Sequence, residues 1–213
     1  MLVQIGLTKF EIRVEAVMSV PRLGFMDNFF CWSDALSPLG IRVNKGTGAF
    51  WGQVLQLQME RFVDCCEWIL TIDYDSFFRR EDVELLFAHA LSYGCDAITG
   101  LQVRRSDGQI LIEHDDPPEN WQTLPVLEVK SAHFGLTAIR CEALKRVPKP
   151  WFQNKADEYG GWGPGKIDDD IWFWRQFVAA GCHVFVTPKV VIGHGEYMIR
   201  WPHKEPTFAR DGI

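Results

Sequence analysis

Trp68-Ile69-Leu70-Thr71-Ile72-Asp73-Tyr74-Asp75 is the stretch on which the reading of this chain turns. The first five residues read as a buried strand, and the strand stops in two aspartates one residue apart. Side chains at i and i+2 of a strand share a face. Both carboxylates are therefore expected to face one spot beyond the strand's carboxyl end, where open α/β sheets bind ligands. Converging carboxylates repel unless a cation sits between them. Hard oxygen ligands in that arrangement suit Mg²⁺ or Mn²⁺ shared with substrate phosphates. The bland alternative is a strand end with two solvated turn residues.

Working outward, Phe10 to Val20 reads as a first strand ended by Pro21. Asp34 to Gly40 reads as a short helix or turn, Ile41-Arg42-Val43 as a short strand, and Gly46-Thr47-Gly48 as a loop. A helix is expected over Ala49 to Cys66, with Trp51, Val54, Leu55, Met59 and Phe62 on one side. Val83, Leu86, Phe87, Ala90 and Leu91 mark an amphipathic helix that Gly94 stops. Ala97 to Val103 reads as a strand that Ser106-Asp107-Gly108 turns back toward Ile110-Leu111-Ile112. Two further strands are expected at Val126 to Val129 and Phe134 to Ile139, and a short helix at Glu142 to Val147. Residues 148 to 166 form a long loop, and Ile171 to Ala180 a helix stopped by Gly181. Val184 to Val186 and Val190 to Ile192 read as strands.

Strands alternating with helices predict an α/β fold, a mixed but mostly parallel sheet flanked by helices. One domain over 1–213 is the simplest organisation, with a core over about 10–197 and an irregular tail at 198–213. The net charge of −6 argues against a general nucleic-acid binder. No window approaches the roughly 18 apolar residues of a membrane span, and no signal peptide is recognisable at the start. None of the six cysteines forms C-x-x-C, so reduced thiols in a cytoplasmic protein are expected.

Three elements carry potential chemistry together: Asp73 with Asp75, the triplet Asp168-Asp169-Asp170, and His194 between two glycines. The triplet opens a helix, where capping and the macrodipole favour acids. Packed like charges also raise one another's pKa, which suits a general base acting on a hydroxyl. Carboxylates with an imidazole and phosphate oxygens form a normal set for Mn²⁺. Gly160-Gly161-Trp162-Gly163-Pro164-Gly165 suggests a mobile flap carrying one large contact group, Trp162; a plain connection is the alternative.

Two blocks together resemble the GT-A fold glycosyltransferases, broadly those related to family 2. The first is Leu70-Thr71-Ile72-Asp73-Tyr74-Asp75-Ser76-Phe77-Phe78, which is similar to the family's D-x-D segment. The second is Asp169-Asp170-Ile171-Trp172-Phe173, then Ala180-Gly181, Thr187-Pro188 and Ile192-Gly193-His194. The resemblance covers about residues 10 to 197. It implies transfer of a sugar from a nucleotide-diphosphate donor, such as a UDP- or GDP-sugar, to a glycan or other hydroxyl acceptor. Asp75 would be the main ligand of Mn²⁺ or Mg²⁺ and His194 the late ligand. Asp73 would contact the metal or the donor ribose. Asp170, with Asp169, would supply the base of an inverting reaction. Pro21, Arg22, Gln53 and Tyr74 would belong to the donor site. Gly135-Leu136-Thr137 would line the acceptor side, together with Trp162. The acidic pair is Asp-Asp where the family more often has Glu-Asp, and Phe50-Trp51-Gly52-Gln53 stands where an Arg-Asn pair is usual. A nucleotidyltransferase and a non-catalytic sugar- or nucleotide-binding protein remain alternatives.

Overall fold

The computed structural model describes residues 1–21, 24–199 and 207–208. The chain opens with a hairpin, β1 (Leu2–Ile5) and β2 (Thr8–Glu11), and enters β3 (Val14–Val20). Helix α1 (Met26–Leu36) leads to β4 (Arg42–Thr47), α2 (Trp51–Phe62) and β5 (Trp68–Ile72). The two-residue β6 (Ser76–Phe77), α3 (Arg80–Ser92) and β7 (Ala97–Leu101) follow. Short strands β8 (Ile112–Glu113), β9 (Leu127–Val129) and β10 (Ser131–Ala132) precede β11 (Leu136–Arg140) and α4 (Cys141–Leu144). Helix α5 (Asp169–Ala179) then leads to β12 (Val184–Val191), β13 (Gly193–His194), β14 (Met198–Ile199) and β15 (Thr207–Phe208).

A seven-stranded sheet in the order β4-β3-β5-β11-β7-β12-β9 organises these elements. β3, β4, β5, β7 and β12 run one way; β11 and β9 run against them. The sheet is therefore mixed and mostly parallel, as expected. Alternation along β5 divides the core: Trp68, Leu70 and Ile72 face α1 and α3, while Ile69 faces α2 and α5. Each residue of β5 is buried, which is what its unbroken apolar sequence requires. On the α5 side Phe173, Trp174 and Phe177 are fully buried, and the Phe173 ring lies 5.0 Å from Phe152 and 5.2 Å from Phe134.

Several boundaries differ from the sequence expectation, each for a physical reason. Helix α1 begins at Met26 rather than near Asp34, because its exposed Met26, Phe29 and Phe30 break the apolar period. Gly46 and Thr47 lie inside β4 rather than in a loop. A Cβ on Gly46 would meet Val54 and Gln58 at 2.8 Å, so the glycine permits close packing on α2. Residues 184–191 form one strand, with a register irregularity between Val186 and Val191 that accommodates Pro188. Met198–Ile199 and Thr207–Phe208 pair, where an irregular tail was expected. Among the described residues no helix is long and apolar enough to cross a membrane. All six cysteines are free thiols.

Phe173→Ala would leave a cavity between α5 and the sheet. Chemical denaturation is expected to show a loss of roughly 3–5 kcal/mol.

Candidate active site

Because β3, β5, β7 and β12 share a direction, their carboxyl ends meet along one edge of the sheet. Pro21 follows β3 there, Asp73 to Asp75 follow β5, Arg105 follows β7 and His194 follows β12. Pairing of β13 with β6 sets His194 opposite Ser76. A cleft of about 680 Å³ opens at this edge, lined by Pro21, Phe25, Tyr74, Arg105, His194 and Tyr197. The Phe25 ring stacks on Tyr197 at 4.3 Å.

The two D-x-D carboxylates do not share partners. β5 ends at Ile72, and Ser76 N donates to Asp73 O at 3.2 Å, closing a turn around Tyr74 and Asp75. Strand alternation therefore lapses at this point. Asp73 Oδ1 accepts from Trp51 Nε1 of α2 at 3.3 Å. Asp75 is only 3% exposed, and its Oδ2 accepts from the Arg105 guanidinium at 3.0 Å. His194 Nε2 stands 3.6 Å from the same oxygen, while its Nδ1 donates to Val103 O at 2.9 Å.

Burial raises the Asp73 carboxyl, and the Asp75 charge adds to it; together they bring it to about 7, although solvent still reaches part of the residue. Burial works against a charged His194, but the Asp75 carboxylate and the Val103 carbonyl outweigh it and raise its pKa. Burial also raises Asp169 and Asp170. The two acids differ in what they hold. Asp169 Oδ2 accepts from Gly52 N at 3.2 Å and its Oδ1 from Asp170 N at 3.1 Å, so it ties the start of α5 to the start of α2. Asp170 Oδ1 accepts from Ile171 N at 2.7 Å, and its charge reaches Asp73. Asp168 pairs instead with Lys166 at 2.8 Å.

The structure thus gathers Asp73, Asp75, Asp170, His194, Tyr74 and Pro21 at one edge. Other expected residues stand elsewhere. Gln53 lines a neighbouring groove with Asp169, because it faces outward from the first turn of α2. The Leu136 side chain is wholly buried in the core on the α3 side, so it reaches no acceptor. Gly135 is also enclosed: a Cβ there would meet Ser76 and Gln102, and its carbonyl accepts from Asp73 N at 3.4 Å. Trp162 is 62% exposed, on a loop whose Asp157 accepts from Gly161 N at 2.7 Å. Arg22 lies outside the described residues. Among those residues, no group of three or more His, Cys, Asp or Glu side chains is gathered as a metal site.

Sequence reading missed Trp51 and Arg105. Trp51 fits the core stripe of α2, and nothing local reveals that its ring edge would reach an aspartate. Arg105 precedes a turn, where exposed charge is ordinary. It also missed His133, buried under the site between β10 and β11. Burial lowers its pKa to about 4, so the ring is neutral at pH 7. His133 Nδ1 accepts from Gly135 N at 3.0 Å, which leaves Nε2 to donate to Gly100 O at 2.9 Å.

No protein-family model and no curated protein matches the chain. Solved structures do. A197 from STIV matches with a TM-score of 0.60 at 14% identity, over 91% of this chain and 100% of that one. The glycosyltransferase GalNAc-T7, solved with UDP, GalNAc and Mn²⁺, matches with a TM-score of 0.62 at 11% identity. The fold is GT-A-like. This GT-A-like chain is matched over 91% of its length in the second case but spans only 46% of the GalNAc-T7 chain.

Asp73 gives a pH signature. An unfolded aspartate titrates near about 3.9, whereas folded Asp73 titrates at about 7. Between those values the folded chain holds a proton that the unfolded chain lacks, so stability falls as pH rises through the window. Asp73→Asn is expected to raise the melting temperature at pH 8 and to leave it unchanged at pH 3.5. Allowing for solvent at the carboxyl, the gain at pH 8 is on the order of 2 kcal/mol. Equal gains at both pH values would refute this account.

Proposed function

We propose that the chain transfers a sugar from a nucleotide-diphosphate donor to an acceptor hydroxyl, with inversion and with a divalent cation. The observation that carries the reading is the gathering of Asp73, Asp75, Asp170 and His194 beside an arginine- and tyrosine-lined cleft on a GT-A-like sheet. The donor set fits a hard cation that completes its shell with substrate oxygens. Asp75 offers a buried carboxylate, and His194 presents Nε2 toward it because Nδ1 is engaged by Val103. The pKa of Asp73 is raised first by burial and then by the Asp75 charge, and a cation would offset both. Mn²⁺ or Mg²⁺ held by Asp75 and His194, with Asp73 beside them, would act as a Lewis acid toward the diphosphate.

The remaining work falls to the chain itself. Tyr74, Phe25 and Tyr197 offer flat surfaces for a nucleoside base. Arg105 places a guanidinium where phosphate oxygens would enter, matching their planar bidentate geometry. Asp170 is the base: burial makes it more basic than an ordinary aspartate, while Asp169 is committed to Gly52 and to the Asp170 backbone. The acceptor oxygen bonds to the anomeric carbon as the carbon–oxygen bond to the diphosphate breaks. The hydroxyl proton passes to Asp170, and the nucleoside diphosphate leaves with the bonding electron pair.

Thermal stabilisation by UDP, GDP, CMP and dTDP, each with and without Mn²⁺, tests the reading. One diphosphate is expected to stabilise the protein only with Mn²⁺, by about 2.7 kcal/mol at a hundredfold excess over Kd, and Asp75→Ala to abolish the effect. No response to any nucleotide would sink the transferase reading. Asp170→Asn is expected to keep the nucleotide shift and to slow transfer by about 10²–10⁴-fold, measured as nucleoside diphosphate release with acceptor present.

A further inference from the structure

A second groove, of about 620 Å³, is separate from the donor cleft and shares no lining residue with it. It runs between the first turns of α2 and the loop at 150–154, with Asp169 at its end. Its chemistry differs from that of the donor cleft. Among the described residues that line it, Asp169 is the only charged one, and there is no Lys or Arg to receive a phosphate. Four side-chain amides line it instead, Gln53, Gln56, Gln153 and Asn154, of which Gln56 is engaged by the protein: its Oε1 accepts from Trp151 N at 2.9 Å and its Nε2 donates to Glu60 at 3.0 Å. Among the described residues neither the Gln53 nor the Gln153 amide has a protein hydrogen-bond partner, and both residues are exposed. Asn154 spends its oxygen on Asp169 N at 3.1 Å, which leaves its NH₂ group. Beside the amides, Phe50 holds its ring 64% exposed and Phe152 closes the wall.

We infer that this groove is the acceptor subsite and that its ligand is a neutral oligosaccharide; the inference rests on the transferase reading above. Each amide offers one acceptor and two donors on a short planar group, which matches adjacent hydroxyls on a sugar ring. The C–H face of a sugar carries slight positive charge and stacks on an aromatic face such as that of Phe50. The lack of cationic lining disfavours phosphorylated or nucleotide ligands. A peptide fits less well. The groove is walled by a helix start and a loop, and so offers no strand edge for main-chain pairing.

The groove also stands where an acceptor must. Asp169 lines it directly and is the chain neighbour of Asp170. Trp51 links the groove to the D-x-D turn: its ring meets the groove residue Phe152 edge-on at 5.5 Å, and its Nε1 donates to Asp73. The groove is thus joined to the base through the Asp169–Asp170 chain step and to Asp73 through the Phe152–Trp51 contact. Gln53, which the family resemblance would assign to the donor, belongs to the acceptor in this arrangement.

The test is binding of the full chain to immobilised neutral oligosaccharides of gluco, manno, galacto and chito configuration, with unglycosylated peptides as a parallel arm. The wild type and Asp75→Ala are expected to bind the same oligosaccharides. Gln53→Ala/Gln153→Ala is expected to bind them at least tenfold more weakly while keeping the Mn²⁺-dependent nucleotide shift. Both substitutions are at exposed amides, so folding is checked by an unchanged melting temperature. Capture on peptides alone, no capture by the wild type, or full capture by the double variant would overturn the inference. Oligosaccharide binding with no nucleotide response would instead sink the transferase reading and leave the groove standing.

Discussion

Negative charge crowded at one sheet edge is the constraint around which the rest is arranged. Asp73, Asp75, Asp169 and Asp170 come from two distant stretches, and each carboxylate must be satisfied or neutralised when it leaves water. The partners are themselves distant: the Trp51 indole, the Arg105 guanidinium, the Gly52 amide and the His194 ring. Satisfying Asp73, Asp75 and Asp169 therefore ties α2, the turn after β5, the segment after β7, and α5 to one another, while Asp170 accepts locally from Ile171 N. Burial still raises the proton affinity of Asp73, Asp169 and Asp170, and at Asp73 burial and the Asp75 charge bring the pKa to about 7.

That edge is held by what lies beneath it. The aromatic cluster of Phe134, Phe152, Phe173 and Trp174 seats the start of α5, so that Asp169 meets the Gly52 amide. Gly52 leaves no room for a side chain there, since a Cβ would collide with the Asp169 carboxylate. A second layer runs through His133, Thr99, Gln102 and Ser76. Thr137 Oγ1 donates to His133 O at 2.6 Å and Gln102 Nε2 to Ser76 Oγ at 3.0 Å. Polar groups at such depth hold position because leaving any of them unpaired is costly. The acids and the imidazole of this edge are thus carried on ends of packed elements rather than on free loops.

The division of labour between the two openings follows from charge. The cleft at the strand ends has Arg104, Arg105 and His194 beside Glu196 in its lining, and the neighbouring groove has amides and a single carboxylate. Trp51 connects their surroundings, touching the Asp73 carboxylate with its nitrogen and Phe152 with its ring.

The sequence by itself determined the elements whose periodicity is strong. The unbroken apolar run of β5, the i, i+3, i+4 pattern of α3 with Gly94 in a left-handed conformation (φ 62°) behind it, and the acids opening α5 were all legible. Those patterns are local, and burial imposes them residue by residue. Order in the sheet fixed what local pattern leaves open. It brought His194 beside Asp75 and turned the D-x-D residues toward different partners. It also separated Gln53 from the cleft at the strand ends and sent Leu136 into the core. Trp51 and Arg105 gained their roles in the same way, because a long side chain meets its partner through the path of the whole backbone, and no spacing along the chain encodes that path.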